Sequence, residues 1–391
     1  MPDAVLALNA GSSSVKFALF EIGGAGALTR VAHGQIEAIG SAPHFHAEDA
    51  AGEVLADEAW QAGTQESLLS SLLGFVDGHL GADRLRAAGH RVVHGGTDFT
   101  RPAMVNDAVL GALEALAPLA PLHQPHNLAP IRAIAAARPG LPQVACFDTA
   151  FHHTMPTLAT RFALPPEYEA RGVRRYGFHG LSYEFIARRL ARLAPRLLAG
   201  RVIVAHLGNG ASLCAMRGGR SVDTTMGFTA LDGLVMGTRC GAIDPGVVLH
   251  LIARLGMRAQ AVEDLLYNRS GLLGVSGISN DMRALLGSDA RRAREAVALF
   301  VFRLAREAGA LAGTLGGLDG LVFTAGIGEH APAIRQMACE RLGWLGVRLD
   351  AAANARGEAV VSAPDSQVEV RVIPTNEEEM IARHTLEALG A

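Results

Sequence analysis

Lys16 is the single lysine of the chain, and the other thirty-four basic side chains are arginines. A compact, flexible ammonium kept where every other cation is a planar guanidinium implies a ligand that a guanidinium does not fit. One survivor had to stand somewhere, however, so its surroundings decide. Lys16 closes the segment LALNAGSSSVKFALF. Here an apolar strand over Val5 to Leu8 runs through Asn9 and a Gly-Ser-Ser-Ser turn containing Ser12 into a second strand, Val15 to Phe20. Glycine lets a ligand approach the backbone, and serine hydroxyls and turn amides are donors that suit phosphate oxygens. The pattern is strand-turn-strand rather than a P-loop, since GxxxxGK[ST] occurs nowhere in the chain. Alone it is also an ordinary Gly-Ser turn.

A second hairpin of this kind lies in the other half of the chain. RVIVAHLGNGASLCAMRGGRSVD reads as a strand, the turn from His206 through Leu207, Gly208, Asn209 and Gly210 to Ser212, a second strand, a Gly-Gly turn and a third strand from Arg220. Asn-Gly between apolar runs is a strong hairpin signal. Two such units suggest a duplicated architecture offering two turns to one nucleotide; two unrelated hairpins fit the same letters. In LVFTAGIGEH a buried strand runs into Gly326-Ile327-Gly328 and then a helix from about Ala331. Such a junction admits a flat base or ribose against the backbone, or is a tight strand-to-helix turn. In GVSGISNDMR, Asp281 either accepts from ribose hydroxyls or caps a helix.

Arg91 sits in the strand-like run HRVVHGG, and Arg239 in the glycine-rich MGFTALDGLVMGTRCGAIDPG. A guanidinium in apolar sequence requires an anionic partner, and its fork suits carboxylate and phosphate oxygens. For either alone, an internal salt bridge fits as well as a ligand. Asp148 ends a short apolar strand, Gln143 to Phe147, and His179 directly precedes a helix with Ser182 near its start. The adjacent His152 and His153 read poorly as ligands of one metal, and His44 and His46 read as solvent-exposed strand residues. Thr375 and Glu378 have capping-box spacing at the last helix, which accounts for Glu378; Glu377 needs another reason.

The length of 391 residues suggests two or three domains. A net charge of −3 supplies no basic field, so neither a nucleic acid nor a membrane surface is the expected partner; a small molecule is. Cys146, Cys214, Cys240 and Cys339 form no CxxC pair, which excludes a zinc ribbon and a disulfide framework and fits a cytoplasmic setting. The first residues lack a positive region before the apolar run, so no secretion is expected. The apolar stretch from Ala308 to Gly328 is broken by Asp319 and glycines and reads as a helix end, a turn and a strand.

NAGSSSVKF, HRVVHGG, APLH, FDTAFHHTMP, RRYGFHG, AHLGNGASL, DTTMGFTALDGLVMGTR, FTAGIGE and PTNEE follow in order over nearly the whole chain. In these motifs the sequence resembles the acetate kinase family, the short-chain carboxylate kinases within the clan of acetate and sugar kinases, heat-shock chaperones and actin. The resemblance implies an α/β fold of two actin-like ATPase domains of duplicated βββαβαβα type, with the nucleotide cleft between them. The implied domains are 1–150 plus 378–391, and 151–377, the second binding nucleotide and forming a homodimer. The implied reaction is reversible, Mg²⁺-dependent phosphoryl transfer from ATP to acetate, by direct in-line attack of the carboxylate on the γ-phosphate, giving ADP and acetyl phosphate. Mn²⁺ is a substitute metal.

By the same resemblance, Asn9 and Glu377 place the metal, directly or through its waters. Lys16 and Ser12 meet ATP phosphates, and His206, Leu207, Gly208, Asn209 and Gly210 form a second phosphate turn. Asp281, Met282 and Arg283 with Gly326, Ile327, Gly328, Glu329 and His330 form the nucleoside site. Arg91 holds the carboxylate, Asp148 is the essential acid, and His179 with Arg239 stabilises the transition state. Since a carboxylate nucleophile is already ionised at pH 7, Asp148 is better read as an orienter of metal-bound water or of Arg91 than as a base. Val93, Leu122 and Phe178 are implied walls of a small acyl pocket. The sequence departs from the family pattern at Ala230 (usually proline), Asp232, Gln124, His330, Cys240 and Ala242. One methylene in an apolar pocket discriminates only about 10- to 200-fold, so propionate stays open beside acetate. A clan relative with another substrate, or a silent binding protein, would have lost the arginines or the phosphate residues; none is missing.

Overall fold

The structure is a computed structural model and describes residues 3–11, 14–80, 84–121 and 123–390. It divides into two compact units, Met1–Phe151 with Asn376–Ala391, and His152–Thr375.

In the first unit, eight strands form one sheet among the described residues: β1 (Ala4–Ala10), β2 (Val15–Ile22), β3 (Leu28–Glu37), β4 (His44–Asp49), β5 (Val54–Ala59), β6 (Leu85–Val92), β7 (Ala103–Met104) and β8 (Gln143–Phe147), in the order β5-β4-β3-β2-β1-β6-β8-β7. The first three pair antiparallel as successive hairpins, while β6 and β8 join parallel to β1. The helix Gln65–Leu80 places Leu68, Leu69, Leu72, Leu73 and Val76 at helical spacing, and this stripe packs with Phe17, Leu19 and Phe45 into one core. The last helix, Glu377–Leu389, lies on β1, β6 and β8. It comes so close that a Cβ on Gly89 would stand 2.1 Å from Thr385 Oγ1, so β6 needs glycine there. Asn127, from the helix Gln124–Ala137, ties two strand ends together: its Nδ2 donates to Ala10 O (2.6 Å) and its Oδ1 accepts from Val93 N (2.9 Å).

In the second unit, β9 (Arg201–Leu207), β10 (Ala211–Arg217), β11 (Arg220–Thr224), β12 (Gly320–Thr324) and β13 (Glu369–Val372) run in the order β11-β10-β9-β12-β13. Three antiparallel strands are again followed by two parallel ones. The order β3-β2-β1-β6-β8 of the first unit is therefore repeated, which is the expected duplication; β4, β5 and β7 are additions that the sequence reading did not contain. The helix Arg291–Leu315 buries Phe300, Leu304, Ala308, Leu311 and Leu315 and stops at Gly316, whose positive φ closes it. Among the described residues no helix is long and apolar enough to cross a membrane.

Two boundaries differ from the sequence reading. Gly326-Ile327-Gly328 is not a turn: it lies in a short helix, Ala325–His330, that precedes the expected helix, Pro332–Arg341 with Ala331 at its N-cap. The Glu329 carboxylate accepts from Ala325 N at 2.7 Å, capping the helix from inside and offsetting the glycines' cost. The last helix is capped by Asn376, whose side chain accepts from Glu379 N at 2.9 Å, rather than by Thr375.

Candidate active site

In the first unit, Asn9 ends β1 opposite Lys16 on β2, Arg91 lies near the end of β6, and Asp148 follows β8. Parallel register brings these strand ends together. Arg91 donates through Nε to both oxygens of Asp148 (3.0 Å each) and through Nη2 to Oδ2 (2.5 Å), while Nη1 donates to Asn9 Oδ1 at 3.1 Å. Asn9 Nδ2 donates in turn to Glu377 Oε2 at 3.2 Å. The Asp148 side chain is 1% exposed and Arg91 19%, so this is a desolvated, hydrogen-bonded pair with one edge open. Burial pushes the Glu377 carboxyl up to about 7; Asp148 and Glu378 push the same way, against Arg91 and Lys16. Lys16 is exposed and, among the described residues, has no carboxylate within 4 Å. It opens onto a cleft of about 300 Å³ with Arg30, His33, His46, Glu48 and Glu378.

In the second unit, His179 caps the helix Gly180–Leu193 with a left-handed backbone (φ 58°), rare for a residue with a side chain. Its Nδ1 meets Ser212 Oγ at 2.8 Å, and its ring stacks on His206 at 4.2 Å between centroids. His206 Nδ1 meets Ser182 Oγ at 2.8 Å, and Ser182 Oγ meets Thr375 Oγ1 at 2.9 Å. Arg239 Nη1 donates to Ala230 O at 2.6 Å. A backbone carbonyl makes that contact, so alanine serves it where the family pattern has proline. A Cβ on Gly210 would lie 2.8 Å from Arg239 Nη2 and 3.2 Å from His179 Nε2, so both nitrogens converge on the Gly208–Gly210 turn. Gly208 N donates to Gly210 O, and Gly237 N to Asn209 O, both at 3.0 Å, which fixes the turn.

Beside this turn, Gly208, Asn209, Asp281, Met282, Arg283, Gly326, Ile327 and His330 line a cleft of about 590 Å³ with Asn280 and Ala331. Sequence reasoning had singled out all but Asn280 and Ala331, which carried no separate signal. Asp281 does cap a helix, Met282–Leu286, accepting from Arg283 N at 2.8 Å. Its carboxylate also holds the Arg283 guanidinium, so both readings of Asp281 remain compatible with its place on the wall. Leu207 and Gly328 are buried and off this wall, and Glu329 spends its carboxylate on Ala325 N and Thr375 N (3.1 Å).

Val93 and Phe178 are buried, one in each unit; Ser12 and Leu122 lie outside the described residues. Among the departures, Gln124 bridges His94 N, His94 O and Leu113 O, while His330 is exposed at the cleft. The His152 ring is committed to Ser221 Oγ (2.8 Å) and Phe178 O (2.9 Å). Among the described residues no group of three or more His, Cys, Asp and Glu side chains is arranged to hold a metal ion by itself.

Residues 4–383 match the model of the acetokinase family. The chain is 56% identical to an acetate kinase of Rhodopseudomonas palustris over 389 residues, 98% of each sequence. Its fold matches a crystal structure of Porphyromonas gingivalis acetate kinase (TM-score 0.88, 36% identity, 99% of this chain and 100% of that one) and one of a Francisella tularensis propionate kinase (0.91, 37%, 98% of each). With a family model spanning all but the chain's ends and relatives of this identity over their full length, the chain belongs to the acetokinase family.

Proposed function

We propose that this protein is an acetate kinase, transferring the γ-phosphoryl group of ATP to acetate to give acetyl phosphate and ADP. The observation that carries the reading is the family match over residues 4–383. The reaction brings two anions together through a loose transition state with charge on three equatorial oxygens, so its requirement is positioned positive charge. Arg91 holds the acetate carboxylate, and the Asp148 fork fixes its guanidinium, which supports Asp148 as an orienter of Arg91. His179 Nε2 and Arg239 Nη2 stabilise the transferring group above the Gly208–Gly210 turn, and the cleft behind that turn takes the nucleoside. Lys16 meets the phosphates. Val93 and Phe178 are the buried apolar residues that the family resemblance assigns to acyl binding.

Mg²⁺ suits the donors near Asn9. Amide and carboxylate oxygens are hard ligands, and Glu377, crowded by Asp148 and Glu378, lacks a full complement of positive charge. Asn9 and Glu377 would hold the ion through its waters, as Mg²⁺ prefers few protein ligands. When bound, it would supply positive charge to neutralise the phosphates; Mn²⁺ would substitute. A cytoplasmic location is supported by the four cysteines, which form no disulfide with one another, three of them being buried.

The partner subunit is a second copy. The helix Pro245–Ala253 has no buried residue, yet its sequence, PGVVLHLIA, is almost wholly apolar. Val247, Leu249, Ile252 and Leu255 are 41–65% exposed. An apolar helix of this kind belongs in an interior. Asp244 and Arg254 bracket it symmetrically about Leu249, so antiparallel pairing about a two-fold axis sets Asp244 against Arg254 of the partner subunit.

The test is acyl phosphate formation, trapped as hydroxamate, from Mg-ATP with formate, acetate, propionate and butyrate in parallel. A maximum at acetate is expected. A maximum at propionate, the substrate named for the Francisella tularensis neighbour, would keep the mechanism and change the substrate; ATP hydrolysis with no trapped product would overturn the reading.

A further inference from the structure

His179 has two ring nitrogens, and only Nε2 faces the Gly208–Gly210 turn. An imidazole donates there only if Nε2 carries the proton, and for the neutral ring that depends on what Nδ1 meets. Nδ1 meets Ser212 Oγ at 2.8 Å, and the same oxygen lies 2.5 Å from Tyr183 Oη. Ser212 and Tyr183 are fully buried. The local folding is simple: Tyr183 stands one turn into the helix that His179 caps, with Tyr183 N donating to His179 O at 3.0 Å, and Ser212 is the β10 partner of His206. Ser212, which the sequence reading placed at the end of the second turn, lies in β10, and neither residue was singled out as a site residue.

We propose that Tyr183 and Ser212 are positioning residues that set the tautomer of His179: the phenol donates to Ser212 Oγ, the serine hydroxyl donates to Nδ1, and the neutral imidazole keeps its proton on Nε2. The inference rests on the reading of His179 given above. Burial holds the Tyr183 phenol well above its ordinary titration range, so it stays protonated and able to donate. The groups around the relay are Arg239, which shares the approach to Gly210, His206 stacked on His179, His152 edge-on to Tyr183 at 5.6 Å, and Cys214, which faces Tyr183. None is a carboxylate. A neutral Nε2–H supplies a donor to the phosphoryl oxygens without a second cation beside Arg239, and the hydroxyl chain fixes it in place as preorganised donors require. The left-handed backbone of His179 is the strain expected of a side chain held for function.

The experiment measures kcat and both KM values from about pH 8 to 5.5 for the wild type, Tyr183→Phe, Ser212→Ala and His179→Ala, following ADP release. Without the relay, Nδ1–H competes with Nε2–H. kcat of Tyr183→Phe and Ser212→Ala should fall about tenfold near pH 8, against the 10²–10³ expected from losing a whole donor, with KM for acetate and ATP unchanged. The deficit should shrink as pH falls, because an imidazolium donates from both nitrogens whatever its neutral tautomer. A pH-independent deficit, or turnover within twofold of wild type in both variants, overturns the relay. If His179→Ala retains wild-type turnover, the role of His179 itself fails and the relay with it; if His179→Ala is inactive while Tyr183→Phe is normal, only the relay fails. Ring ¹⁵N shifts of His179 in the wild-type protein test the same point without a variant: a protonated Nδ1 at pH 8 would overturn it.

Discussion

Removing Asp148 should cost stability and activity together, and the two are separable by a double-mutant cycle. Arg91 directs Nε and Nη2 at Asp148 and only Nη1 elsewhere, to Asn9 Oδ1. In Asp148→Ala the guanidinium, 19% exposed, is left with one neutral partner in a desolvated position. Breaking a buried pair from one side costs about 3–5 kcal/mol, and the partial exposure of Arg91 places this case near 3. Arg91→Ala strands a carboxylate that is 1% exposed and should cost at least as much. Removing both strands nothing, so the double variant should be no less stable than the worse single, with a coupling energy of about 3 kcal/mol. Urea unfolding of the four proteins measures the cycle; hydroxamate trapping measures activity, which should be lost in all three variants because none retains an anchored Arg91. Additivity of the stability costs within about 0.5 kcal/mol would refute the paired geometry. Near-normal acyl phosphate formation in Arg91→Ala would refute the placement of acetate.

Lys16→Arg should lower kcat/KM for ATP at least tenfold and leave the urea midpoint unchanged, since Lys16 is exposed and forms no ion pair among the described residues; steady-state kinetics with ATP varied would show otherwise. His90, His94 and His152 are held down to about 4 by burial. Each folded value lies below the unfolded value near 6.5, so the unfolded chain binds more protons between these limits and stability falls as pH drops from about 6.5 to 4. From pH 7 to 5 each group should cost about 2 kcal/mol; a urea midpoint unchanged over that interval would contradict their burial as neutral rings. Leu249→Asp should dissociate the proposed pair of copies to a monomer in sedimentation velocity, and a variant that sediments as the wild type would remove the helix Pro245–Ala253 from the proposed interface.

What the letters carried and what they hid divides along sequence separation. The hairpins of β1–β2 and β9–β10 were legible because alternation and a Gly- or Asn-Gly turn are local signals. Asp148 was legible as the end of a strand for the same reason. Nothing local says that Arg91 and Asp148, on strands paired only after a long excursion, share one fork, or that Asn9 meets the first residue of the last helix. Family resemblance supplied those roles, and parallel pairing of β1, β6 and β8 supplies their physical cause. The errors were local signals overridden by contacts. Gly326-Ile327-Gly328 has poor helix propensity, yet Glu329 caps the helix it belongs to. Thr375 has a capping hydroxyl and spends it on Ser182, so Asn376 takes the cap. Tyr183 and Ser212 read as an ordinary helix residue and an ordinary strand residue; only the packing of the helix Gly180–Leu193 on β9, the neighbour of β10, puts both hydroxyls behind one imidazole. A chemical role exercised through a second side chain leaves no spacing of its own in the sequence. It becomes visible when the reacting group is asked which of its atoms must carry the proton and what lies on the other side of the ring.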